Sequence, residues 1–155
     1  MSQLFTFGTR RSMRLTVIRA IALTALLSGP LYAAQDAGPG LYEAFGQREG
    51  IVQLTDDFVN RLTADTRISA MFKESNIRRV KEKIAEQLCV VTGGPCTYTG
   101  DSMAEVHGRM GVQMKHFNAL VEDLQDAMNA RNIPFADQNR LLALLAPMYR
   151  DMVKP

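Results

Sequence analysis

The sequence predicts an all-α domain built from two long helix pairs. Three observations carry that reading. Apolar residues recur at three- and four-residue steps over four stretches, none alternates apolar and polar residues as a strand does, and no internal repeat is present. The first stretch holds Ile51, Leu54, Phe58 and Leu62, and the second Ile77, Val80, Ile84, Leu88 and Val91. The third holds Met114, Phe117, Leu120, Val121, Leu124 and Met128. The fourth opens near Pro134 and carries Leu141, Leu142, Leu144, Leu145 and Met148. Proline suits a helix's first turn, where its missing N–H is not needed. Pro147 is expected to end, kink or weaken the last helix.

With 155 residues, 46% hydrophobic and 22% charged, the chain fits one ordinary globular domain. Its charge is unevenly placed. Arg10, Arg11, Arg14 and Arg19 precede residue 34, and no acid does. Without these four of the 18 Lys and Arg, 14 remain against 16 Asp and Glu, a balance of −2. Such a domain has no electrostatic footprint for nucleic acid.

Residues 1–33 explain the imbalance. Arginines come first, then an apolar run from Ala20 to Leu27, then Ser28, Gly29 and Pro30, then Ala33 and Ala34. That order is the order of a secretory signal peptide, cut after Ala33. The run is too short to span a bilayer as a mature helix. Translation from Met13 would leave an ordinary signal. From Met1 the segment includes Thr9-Arg10-Arg11-Ser12-Met13-Arg14-Leu15, which resembles a twin-arginine signal. An uncleaved anchor or an amphipathic arm is the alternative. The expectation is an exported, periplasmic protein without a membrane segment once the signal is cut. Residues 34–40, with Gly38, Pro39 and Gly40, read as a linker to a domain over 41–155.

Cys89 and Cys96 suit an exported chain, where one bridge would close a short loop across Gly93-Gly94-Pro95. The alternative is a buried Cys89 and a free Cys96 thiol, and spacing alone does not choose between them. The pattern is neither a zinc site nor a CxxCH haem attachment site.

Thr92 to Gly111 resists the helical pattern, being rich in Gly, Thr and Pro. Long irregular segments inside compact domains usually carry function. This one holds His107, one of two histidines, flanked by Met103, Val106, Met110 and Val112. No hydrolytic triad context, GxGxxG or Walker loop occurs. A histidine on a short apolar turn can ligate iron, or it can be a satisfied structural residue.

From Leu41 to about Val153 the chain resembles group 1 truncated haemoglobins. The resemblance is carried by Gly93-Gly94-Pro95, Tyr98-Thr99-Gly100, Met103, Val106 and His107, then Gly111-Val112 and His116-Phe117. Leu41-Tyr42-Glu43 with Gly46 matches the family's start, and Ala146-Pro147 its last helix. One departure is Gly46-Gln47, where the family has two glycines.

The resemblance implies a two-over-two helical sandwich around a non-covalent haem b, with His107 as proximal iron ligand. It puts Phe72 on the stacking position and Met103, Val106, Met110, Val112, Phe117, Leu120, Leu142 and Leu145 on haem-lining positions. Each also fits a plain apolar core. His116 reads as structural or surface, with a propionate contact as its minor alternative. Lys81, Arg78 and Arg79 are candidates for the propionates or for a solvated face.

The family's distal Tyr, which follows Phe58, is here Val59, its distal Gln falls on Ile84, and the remaining distal position is Val80. A lost buried hydrogen bond costs roughly 1–3 kcal/mol, about ten- to a hundredfold in ligand affinity or off-rate. The expectation is weak oxygen retention, better tolerance of CO and NO, and less NO dioxygenation. Lys83 occupies the position from which some relatives supply a sixth ligand, which requires it to lose its proton. Three alternatives to a gas-binding globin stay open. One is a six-coordinate electron-transfer protein, the second an NO- or peroxide-converting enzyme served by a reductase, and the third a helical domain that binds no haem. The aliphatic distal side lacks an acid–base group for O–O cleavage.

Overall fold

The computed structural model describes residues 38–153. The expected signal segment and residues 34–37 of the linker lie outside the described residues. Within the described residues seven helices follow in order: α1 (Leu41–Ala44), α2 (Gln47–Ala64), α3 (Ile77–Val91), α4 (Met103–His107), α5 (Met114–Ala130), α6 (Phe135–Leu145) and α7 (Tyr149–Met152). Two 3-10 turns, Ser69–Phe72 and Ala146–Met148, complete the set, and no strand occurs among the described residues.

The four apolar stretches become α2, α3, α5 and α6. Helix α2 is central and packs against both α3 and α5, while α3 also meets α6. One core unites Leu41 and Phe45 with Ile51, Leu54, Phe58 and Leu62 of α2. Leu88 and Cys89 of α3 join it, with Ala119, Leu124, Ala127 and Met128 of α5 and Leu141 of α6. Each large apolar side chain removed from water in this way contributes about 1.5–3 kcal/mol. Met114 departs from the stripe. It is the first residue of α5 and stays 61% exposed, so the core-facing stripe begins further along the helix.

Helix ends follow the local chemistry. Asn76 caps α3, its side chain accepting from the N–H of Arg79 at 3.1 Å. Pro134 stands immediately before α6. Pro147 has the effect read from it: α6 stops at Leu145, a 3-10 turn carries the proline, and α7 resumes at Tyr149.

The corner between α1 and α2 shows what the missing glycine costs. Gly46 has φ +75°, and Gln47 follows at φ +56°. A residue with a Cβ pays in that left-handed region, roughly 1–2 kcal/mol. The turn therefore keeps its shape at the expense of strain at Gln47.

Candidate functional site

The site begins where α3 ends. Thr92 closes the helix, its hydroxyl donating to the carbonyl of Leu88 at 2.8 Å. Gly93 follows at φ +87°. At Gly94 a Cβ would stand 2.4 Å from the Tyr42 ring and 2.7 Å from Cys89 Sγ, so only glycine fits. Cys89 and Cys96 are joined in a disulfide with Cα atoms 5.9 Å apart, which selects between the two readings left by their spacing. The same loop is tied to α3 a second time. Glu86 accepts from the backbone N–H of Thr99 at 2.9 Å. After it, Ser102 and Glu105 form a capping box that starts α4. His107 is the last residue of that short helix.

The two histidines differ in the one respect that matters for iron. His107 Nδ1 lies 2.9 Å from the carbonyl oxygen of Met103. A carbonyl only accepts, so Nδ1 donates and the neutral ring keeps its lone pair on Nε2. His116 is the reverse. Its Nδ1 accepts from the N–H of Gln113 at 3.2 Å, capping α5. The lone pair of His116 is used locally, whereas Nε2 of His107 has no partner among the described residues. A metal-ligating histidine is typically held this way, by its second nitrogen on a carbonyl.

The expected lining residues are half-buried apolar side chains contributed by several elements. Phe72 is in the first 3-10 turn, Val80 and Ile84 on α3, Met103 on α4, Phe117 and Leu120 on α5, and Leu142 and Leu145 on α6. Phe72, Ile84, Leu120, Leu142 and Leu145 all pack against the one core. Met110 is half-buried between α4 and α5, and Val112 is buried. Phe58 and Val59 are buried in α2. Phe117 meets Tyr149 edge to face at 4.9 Å. Val106 is the outlier at 42% exposed. It precedes His107 by one residue, which turns it roughly 100° around the helix.

The two lysines of α3 are committed to acids. Lys81 Nζ bonds Asp56 at 2.5 Å and Asn60 at 2.8 Å, fastening α3 to α2. Lys83 Nζ reaches Glu86 at 2.8 Å, Glu82 at 3.2 Å and the Thr99 hydroxyl at 2.5 Å. The Glu86 carboxylate holds the Lys83 ammonium above its ordinary value. Lys83 and the Thr99 N–H in turn lower Glu86 to about 2. Both groups are thus stabilised in their charged forms, the opposite of what iron ligation asks of the lysine. Arg78 and Arg79 are exposed.

Sequence reasoning missed Gln87. Its amide nitrogen donates to Met148 Sδ at 3.2 Å and to Met103 Sδ at 3.7 Å, linking α3 to the turn that carries His107. The signal was present: Gln87 stands three residues after Ile84 and seven after Val80, on the same stripe. A groove of about 450 Å³ lies elsewhere, lined by Arg48, Asp56, Lys81, Glu82 and the disulfide, and His107 is not on its wall.

Residues 40–154 match the family model for bacterial-like globins. The chain belongs to that family. This globin is also similar to a group 1 truncated haemoglobin of Mycolicibacterium paratuberculosis, 32% identical over 108 residues, 70% of this chain and 79% of the relative. A group 1 truncated haemoglobin of Tetrahymena thermophila is 30% identical over 100 residues, 64% and 81% of the two chains. Among solved structures, the truncated haemoglobin of Tetrahymena pyriformis in its Fe(III) form superposes with a TM-score of 0.71 at 25% identity. That match covers 74% of this globin and 98% of the other chain. The helical pairs are those of the two-over-two globin fold. Membership implies haem binding, and the residue types fit a haem: half-buried apolar side chains on α3, α4, α5 and α6, and one imidazole whose Nε2 is available to iron. No helix among the described residues is long and apolar enough to cross a membrane.

Proposed function

We propose that this globin binds haem b non-covalently, with His107 as the proximal iron ligand, and holds a diatomic gas, oxygen, NO or CO, on the other face. The hydrogen bond from His107 Nδ1 to the Met103 carbonyl carries the reading, because it presents Nε2 as a donor to iron. The haem supplies the redox-active iron on which a gas is bound. The chain supplies the rest. Met103 orients the imidazole, and the half-buried apolar residues of α3, α5 and α6 exclude water. Phe72 offers a ring to stack, and Val59, Val80 and Ile84 form the distal positions. Lys83 stays with Glu86, which favours gas binding over a six-coordinate electron-transfer role.

Export is part of the proposal. The basic, apolar and small-residue order of residues 1–33 supports it, and a disulfide belongs in an oxidising compartment. Fractionation of cells with mass analysis of the mature chain tests it; a cytoplasmic chain retaining residues 1–33 refutes it.

The decisive measurement for the haem is the absorption spectrum of ferric, ferrous and CO-bound protein, with His107→Ala and His116→Ala beside it. Loss of the Soret band or collapse of haem retention is expected in His107→Ala only. Equal haem retention and an unchanged spectrum in His107→Ala overturn the assignment. Acid extraction of the pigment checks that the haem is not covalently attached.

A further inference from the structure

We propose that Gln87 is the hydrogen-bond donor this pocket presents to its gas ligand, an inference that rests on the haem reading above. The positions where a donor is expected, Val59, Val80 and Ile84, are aliphatic. Gln87 is the next position on the α3 stripe, at i+3 from Ile84 and i+7 from Val80, so it faces the same side. Its contacts place the amide toward the segment that carries His107. The amide nitrogen touches Met103, whose carbonyl holds His107, and Met148 of the second 3-10 turn. Gln87 therefore spans from the helix carrying Val80 and Ile84 to the turn carrying the proximal histidine.

The other polar side chains near this stripe are engaged by strong partners. Lys81 is held by Asp56 and Asn60, Lys83 by Glu82, Glu86 and Thr99, and His116 by the start of α5. Gln87 alone among them is held by thioether sulfurs, which are weak acceptors. Its N–H groups lose little on exchanging sulfur for a polarised diatomic ligand, so the amide is the donor most readily recruited. The pocket is then polar at one point, one helical turn away from where the aliphatic trio would place it.

The test is made on haem-loaded protein by infrared spectroscopy of the ferrous CO form and by stopped-flow oxygen dissociation. Wild type is compared with Gln87→Met, which keeps length and apolar contacts and removes the donor, and with Lys83→Met. A donor next to bound CO lowers its stretching frequency. In Gln87→Met the band is expected to move to higher wavenumber and oxygen dissociation to accelerate about tenfold. Lys83→Met is expected to leave both unchanged. Coincident spectra and rates for wild type and Gln87→Met overturn the inference, and so does an effect confined to Lys83→Met. Should Gln87→Met lose haem, Gln87→Leu gives the second reading: it also removes the donor and must raise the band, and an unmoved band again refutes the assignment. A wild-type protein without a Soret band instead defeats the haem reading itself, and this inference with it.

Discussion

Lys83 and Glu86 are joined across one turn of α3 at 2.8 Å, and Glu86 also accepts from the backbone N–H of Thr99. The pair makes α3 and the loop before His107 one unit. Glu86 is lowered from 4.5 to about 2, so its folded value lies below its unfolded one. Its stabilising contribution is present above about pH 4.5 and is lost as pH falls through the window down to about 2. Glu86→Gln is accordingly expected to melt below wild type at neutral pH. The two melting curves should converge between pH 4.5 and 2. Thermal denaturation followed by circular dichroism across that range checks it, and a constant difference contradicts it.

The same pair bears on the iron's coordination. Lys83 is raised by Glu86, so the ammonium form persists beyond its ordinary titration range. A lysine must be neutral to ligate. Near neutral pH the ferric protein is expected to be high-spin, with the same visible spectrum in Lys83→Ala. A low-spin spectrum that turns high-spin in Lys83→Ala would show that the lysine leaves Glu86 for the iron.

Gln47 carries strain that its own side chain does nothing to offset. At φ +56° it occupies a conformation natural to glycine. Gln47→Gly relieves roughly 1–2 kcal/mol of left-handed strain and loses part of that to the greater backbone entropy of glycine. The net expectation is a stabilisation of about 0.5–1 kcal/mol, or a few degrees in Tm. An unchanged or lower Tm would show that the corner has relaxed around glutamine.

Those three cases mark how far the sequence could be read. The helices were legible because burial imposes a 3.6-residue period, and Leu54, Leu88, Leu124 and Leu141 all sit where that period puts them. His107 was legible from the residue pattern only as an alternative and from the family resemblance as the iron ligand; neither says which ring nitrogen is free, and the Met103 carbonyl decides that. Gln87 was passed over because a polar residue on a helix is ordinarily solvated, and its thioether partners come from α4 and the turn after α6. The Lys83–Glu86–Thr99 cluster depends on a loop returning to α3 across 13 residues, a closure that no local pattern announces. The disulfide was undecidable for the same reason: spacing does not place two Cβ atoms together.

Reduction of Cys89–Cys96 is expected to destabilise the domain. The bridge closes a short loop, with the cysteines seven residues apart, and loop-closure entropy for such a length is worth about 2 kcal/mol. Cys89→Ala with Cys96→Ser removes the bridge while keeping the buried side apolar. A Tm lower by several degrees is expected, with wild type falling to the same value under a reductant. Haem retention should weaken as well, because the bridged loop leads directly into α4. Equal stability of oxidised and reduced protein would show that Glu86 and Thr99 hold the loop unaided.

Ile84→Gln should supply a second donor at one of the proposed distal positions. Ile84 is half-buried, so an amide fits there without the overpacking that Tyr would cause at fully buried Val59. Oxygen dissociation from the ferrous protein is expected to slow about tenfold. The informative case is its combination with Gln87→Met. Residues 84 and 87 are one turn apart on one stripe, close enough to compete for the same ligand atom. If both donate to that atom, the effect of Gln87→Met must shrink in the Ile84→Gln background, because the ligand's acceptor is already satisfied. Strictly additive effects in stopped-flow would mean that the two amides act at different places, and that Gln87 influences the ligand only through its neighbours.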